Sequence, residues 1–227
     1  MMSHATSNES HRIQKLLRGN DGTTYYSAHD EKVDDAIDAG AKHIHSTFHE
    51  GNLIKIHNTG RPMTEKDRQN YLQLDSVKPD GSDKDIGKHG IGSMKARCRF
   101  AGDSGKEITT SVDEQGVSMR VMVDMESLLD DTKTAINCWT GESPYRPEWS
   151  QTNTTYPTGV TTEYVSPSNH NFDIHKLIHS EMRKYQNYLA DISLTHEFEG
   201  DTYKVPTLVS SDDSVVSTKK LRIKHYT

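Results

Sequence analysis

The sequence predicts one α+β domain, and three observations carry that prediction. Two segments, 30–40 and 174–189, repeat apolar residues at helical spacing. Two others, 108–123 and 192–208, read as β-hairpins, the first around Asp113-Glu114-Gln115-Gly116 and the second around Glu199-Gly200-Asp201. No internal repeat and no Pro- or Gly-rich linker divides the 227 residues, so one domain is the economical reading.

The elements follow in order. Residues 1–27 read as an N-terminal arm or strap in which Ile13, Leu16 and Leu17 mark one short helix or strap that stops near Gly19. The helix from Asp30 to Gly40 leads to a strand around Leu53 to His57. Thr64 reads as the N-cap of a helix running to Leu74, with Glu65 and Asp67 in its first turn. Lys78 to Lys84 is a polar loop. After the first hairpin, Cys138 to Thr158 carries no assignable period, and Val160 to Val165 reads as a strand. The second helix repeats Ile174, Leu177, Ile178, Met182, Tyr185 and Leu189, and the closing hairpin follows. The domain spans 28–210, with 211–227 as a tail or the start of a further domain.

Composition narrows the function classes. Hydrophobic residues are only 32% of the chain, which fits a modest core with long polar loops. The formal charge of -6 gives no overall attraction to nucleic acid or anionic membrane, so DNA contact needs a local patch or a partner. Cys98 and Cys138 fit neither a disulfide framework nor a zinc-ligand spacing. No apolar run reaches membrane-span length and the start MMSHATSNES is no signal peptide. A soluble protein of the cytoplasm or nucleus, with no membrane partner, is the expectation.

Chemistry concentrates in the first half. On the helix 31–40, Glu31, Asp35 and Asp38 form one stripe, while Val33, Ala36, Ile37 and Gly40 form the other. Such a helix is compatible with a charged face in water. It is equally compatible with a Mg²⁺ site, because stacked carboxylates repel one another until a hard cation joins them. Two glycine-bearing turns follow, Asn58-Thr59-Gly60-Arg61-Pro62-Met63 and Gly87-Lys88-His89-Gly90-Ile91-Gly92. Glycines there let backbone N–H groups approach phosphate oxygens, and a helix start adds favourable partial charge. No P-loop sequence is present.

The joint order and spacing of these elements resembles the GHKL superfamily of ATPases. Glu31 to Ala41 resembles its N-box, Glu-x-x-x-Asn-x-x-Asp-Ala; Asn58 to Met63 resembles its first glycine box, Asp-x-Gly-x-Gly; Gly87 to Gly92 resembles the second. Ser76-Val77-Lys78 is similar to the Ser-x-Lys that several members carry, and Gly159 to Glu163 is a weaker echo of a later strand. The matches cover roughly residues 28–100 and look most similar to the MutL, MORC and topoisomerase VI B group.

The resemblance implies the Bergerat fold, a mixed, mostly antiparallel sheet with helices on one face. It also implies that ATP and Mg²⁺ are bound. Glu31 would be the general base for the attacking water, and Asp35 the Mg²⁺ ligand, with Asp38 on the same face. Asn58 would read the adenine amino group and Gly60 would admit the base, with Met63 and Lys78 beside the nucleotide. Gly87, Lys88, His89, Gly90, Ile91 and Gly92 would wrap the phosphates. As partners it implies a homodimer closed by nucleotide, and DNA or a DNA-cleaving subunit.

Three positions depart from the pattern. Asp35 stands for the usual Asn and adds negative charge, Asn58 stands for Asp and loses charge-assisted bonding, and Pro62 stands for Gly and removes an N–H donor. A degenerate nucleotide sensor without turnover is therefore the alternative function. Outside these motifs, His43, His45, His49 and His57 lack a metal-binding motif. The basic residues Lys219, Lys220, Arg222, Lys224 and His225 read as a solvated strand end, with contact to DNA or a partner domain as the alternative. Tyr25 and Tyr26 read as packing against the core, with a dimer strap as the alternative.

Overall fold

The computed structural model describes residues 22–72, 91–129, 147–167 and 172–207. The expected helix at Ile13–Leu17, the loop Lys78–Lys84, Cys138 and the tail 211–227 lie outside them.

Helix α1 (Tyr25–Asp38) starts five residues before the expected point, because Thr24 and Ser27 form a capping box. Tyr25 and Tyr26 open this helix, and Tyr26 packs edge-on against Phe172. Strands β1 (His43–His49) and β2 (Asn52–Asn58) follow, joined by Glu50-Gly51, both at positive φ as a two-residue hairpin turn of this type requires. Helix α2 (Glu65–Gln69) keeps its expected cap, with Thr64 and Asp67 bonding reciprocally, but ends at Asn70 rather than Leu74. Helix α3 (Ile91–Ala101) leads into the hairpin of β3 (Lys106–Val112) and β4 (Ser118–Asp124). Asp113 Oδ1 accepts from the N–H groups of Gln115 and Val117 and sets that turn.

The short α4 (Met125–Leu129) comes next, and the described part of the aperiodic stretch contributes an edge strand, β5 (Ser150–Thr152). Strand β6 (Gly159–Val165) precedes α5 (Ile174–Lys184), which Asp173 caps. The helix stops at Tyr185, earlier than the apolar period suggests, because Tyr185 and Leu189 pack into the core from a turn. Strands β7 (Ser193–Phe198) and β8 (Asp201–Lys204) close the fold.

The eight strands form one sheet in the order β5-β4-β3-β6-β2-β1-β7-β8. Every pairing is antiparallel except β1 with β7. Alternation assigns the two faces. Ile44, Ile56 and Leu194 bury against Val33 and Ala36 of α1, while Val123, Tyr164 and Phe48 bury with residues of α1, α3 and α5. The opposite face carries His45, His57, Thr161 and Thr195. Among the described residues no helix is long and apolar enough to cross a membrane.

Candidate functional site

The carboxylate stripe of α1 lies against the beginning of α3. A β-carbon at Gly92 would overlap the Glu31 carboxylate, so a larger residue there would push that side chain out of its place beside α3. One residue later, Ser93 Oγ donates to Asp35 Oδ2 at 2.9 Å. The N-box stripe and the last glycine of the second box, 61 positions apart in sequence, therefore share one place (Glu31 and Gly92). Burial raises the pKa of Glu31, and the nearby Asp34 and Asp35 carboxylates raise it further. A carboxylate destabilised in this way has a gained affinity for a proton, as a general base needs.

Asp34 turns from the stripe into the protein, accepting from Tyr185 Oη at 2.8 Å and Lys184 Nζ at 2.9 Å. Lys184 also lies 3.4 Å from Asp30, whose pKa burial raises. Asp38 is half-buried at the end of α1.

The first glycine box sits at the end of β2, beside the C-terminus of α1. The Gly60 N–H donates to Asn58 Oδ1 at 3.0 Å, and the Arg61 N–H donates to the Ala39 carbonyl at 2.7 Å. A β-carbon on Gly60 would lie 2.8 Å from that of Ala39, too close for any larger residue without movement. Gly159 presses on the Asn58 carbonyl from β6, at φ +125°, where a side chain is disfavoured. The Met63 N–H donates to Ser111 Oγ at 2.9 Å, tying the loop to β3.

A buried polar network, unforeseen in the sequence, lies between these helices and the sheet. Glu107 accepts from Arg97 Nε at 2.7 Å and Tyr71 Oη at 2.6 Å, and Lys32 Nζ lies 3.4 Å away. Burial opposes the Glu107 charge, but Arg97 and Lys32 overcome it and hold the pKa near about 2. Tyr71 Oη also bonds Thr109, whose hydroxyl reaches Thr162 at 3.3 Å. Lys32, which in sequence stands beside the carboxylate stripe, thus answers a different carboxylate.

The structure brings Glu31, Asp35 and Gly92 together and groups Asn58, Gly60 and Met63 at the neighbouring strand end. Ile91 opens α3. Lys78, Gly87, Lys88, His89 and Gly90 lie outside the described residues. His45 and His57 pair across β1 and β2 on the helix-free face, bonded to Thr195 and Thr161, and no metal-holding cluster occurs among the described residues. Ser93, Ser111 and Tyr71 carried no sequence signal, since a single hydroxyl has no period.

For nucleotide and Mg²⁺ the donor set fits. A carboxylate at Asp35 suits a hard cation, and Gly92 brings the start of α3 against the Glu31 carboxylate. Among solved structures, the Aquifex aeolicus MutL ATPase domain complexed with ADP matches with a TM-score of 0.50 at 12% identity, covering 81% of this chain and 64% of that one. The chain has the Bergerat fold that the sequence predicts. The N-terminal domain of a DNA repair protein matches with a TM-score of 0.47 at 15% identity, covering 87% of this chain and 56% of that one. This Bergerat chain therefore spans less than two thirds of either structure, and at these identities the likeness is one of fold. No protein-family profile and no curated protein sequence matches it.

Proposed function

We propose that this Bergerat domain binds a purine nucleoside triphosphate with Mg²⁺, ATP by resemblance, and hydrolyses it slowly. Its output would be nucleotide-gated dimerisation within a machine that works on DNA. The observation that carries the reading is the contact of Glu31 with Gly92, which sets the start of α3 beside the carboxylate that the resemblance makes the base. In this reaction water attacks the γ-phosphorus, the bond to the bridging oxygen breaks, and Glu31 takes the water proton. General-base assistance of this kind contributes roughly 10²–10⁴-fold. Asp35, oriented by Ser93, would hold Mg²⁺, and the bound ion would neutralise charge on the phosphate oxygens. The N-terminus of the eleven-residue α3 directs positive partial charge toward the same point.

Glu31→Ala is expected to abolish turnover while nucleotide binding survives, by phosphate release and calorimetric titration. Normal hydrolysis by that variant would refute the assignment. The departures at Asp35, Asn58 and Pro62 support a second reading, a sensor that binds nucleotide and regulates a partner without turnover. Wild-type protein that binds and dimerises but releases no phosphate would select it.

A further inference from the structure

We propose that Lys184 is a positioning residue for Glu31: it binds the neighbouring acids Asp30 and Asp34, and so leaves Glu31 as the carboxylate able to take a proton from water. This deepens the hydrolytic reading of Glu31 and rests on it. The contacts of Lys184 themselves stand on geometry alone.

Four acids, Asp30, Glu31, Asp34 and Asp35, crowd the middle of α1. Unrelieved, like charges this close favour one another's protonated form. The fold answers three of them. Lys184 Nζ, at the end of α5, donates to Asp34 Oδ2 at 2.9 Å and lies 3.4 Å from Asp30 Oδ2. Ser93 of α3 donates to Asp35 Oδ2. Glu31 makes no hydrogen bond with any described residue, though the start of α3 lies against it at Gly92.

The ammonium is itself held. It lies 5.0 Å from the centroid of the Tyr185 ring, and the Tyr185 hydroxyl donates to the other oxygen of Asp34 at 2.8 Å. The Lys184 side chain is 37% exposed and that of Asp34 is 9% exposed, so the pair lies at the border of the interior, where screening is partial.

Charged groups from three helices bear on Glu31. Burial raises its pKa first, Asp34 and Asp35 of α1 raise it further, and Lys184 of α5 and Lys95 of α3 lower it. Lys32, its neighbour in sequence, is turned to Glu107. Removing the Lys184 charge deletes one of these cations and leaves Asp34 less neutralised. Both changes make Glu31 keep its proton to higher pH, and a base that holds a proton cannot take one from water.

The test is Lys184→Gln, which keeps a donor for Asp34 but removes the charge, with Lys184→Arg as the conservative variant. Phosphate release is followed against pH, and the Glu31 carboxyl is titrated by carbon NMR, assigned with Glu31→Gln. In Lys184→Gln the acid limb of the rate profile and the Glu31 titration are expected to rise together by about half a pH unit or more, with the alkaline plateau unchanged. Lys184→Arg should keep both at the wild-type position. A lysine that merely docks α5 on α1 would, on removal, lower the plateau and the melting temperature with the limb in place, which overturns the proposal. An unmoved Glu31 titration overturns it as well, while wild-type hydrolysis keeps the reading of Glu31 intact. Wild-type protein that releases no phosphate, with a Glu31 titration that moves, overturns the hydrolytic reading instead. Asp34→Asn, which frees the Lys184 charge to act on Glu31, should move the titration down. No movement there overturns the proposal even if Lys184→Gln does not fold.

Discussion

Two buried clusters pin α1 to the rest of the molecule, and they differ in what faces the carboxylate at the centre. In the first, Lys32 and Arg97 surround Glu107. In the second, Glu181 of α5 sits between two imidazoles, 3.0 Å from His29 Nδ1 and 2.6 Å from His196 Nε2. His29 also bonds Ser46 of β1 at 2.8 Å. Both carboxylates are fully buried and both are held at a pKa of about 2. Lysine and arginine stay charged throughout the accessible pH range, whereas a histidine chooses. Two anchors of similar geometry should therefore fail at different pH, and the helix bearing Glu31 is what they release.

The largest effect is expected from breaking the first anchor. Arg97 and Glu107 side chains are 1% and 0% exposed, so Arg97→Met leaves a buried carboxylate with Lys32 as its one cation and the Tyr71 hydroxyl as donor. The expected loss is about 3–5 kcal/mol in urea titration. Replacing both partners by apolar residues should recover part of it, since no unpaired charge then remains. A loss under about 1 kcal/mol for Arg97→Met would mean that the network does not hold α1.

The pH dependence separates the anchors. Burial lowers the His196 pKa from 6.5 despite the attraction of Glu181, and His196 Nδ1 has no partner among the described residues to accept a proton's hydrogen bond. The folded form thus resists protonation more than the unfolded chain does. The stability this contributes is full above pH 6.5 and is lost as pH falls below it. Glu107 and Glu181 are depressed from 4.5, so their contributions persist to about pH 4.5 and disappear below. Thermal melts should show a first decline beginning near pH 6.5 and a steeper one below about 4.5. His196→Gln should remove the first and keep the second. An unchanged early decline in that variant would assign it to another group.

How much of this was legible depends on whether a residue's role is periodic. The helix bearing Glu31 and the strands β2, β3, β4, β6 and β7 follow from apolar spacing, because burial on one face imposes a repeat. The meeting of Glu31 with Gly92 was legible only through resemblance, since spacing within one segment says nothing of what packs on it. The buried network was not legible. Lys32 in a run of acidic residues looks like a solvated neutraliser, and Arg97, between Ala96 and Cys98, gives no sign that Glu107 awaits it ten positions on. Such pairs are stated only by the assembled fold. The cap at Thr64 was readable because its partner Asp67 is three residues away.

The smallest effect is a control on that lesson. Arg61 and Asp67 are also 2.7 Å apart, the same separation as Arg97 and Glu107, but their side chains are 59% and 29% exposed. Water already solvates the guanidinium, and holding two long side chains together costs entropy. Asp67 also keeps its bonds to the Thr64 N–H and hydroxyl when the arginine is gone. Arg61→Ala should therefore change stability by less than about 1 kcal/mol, and added salt should shrink the difference further. A loss as large as that of Arg97→Met would show that distance, and not desolvation, sets the worth of an ion pair in this fold.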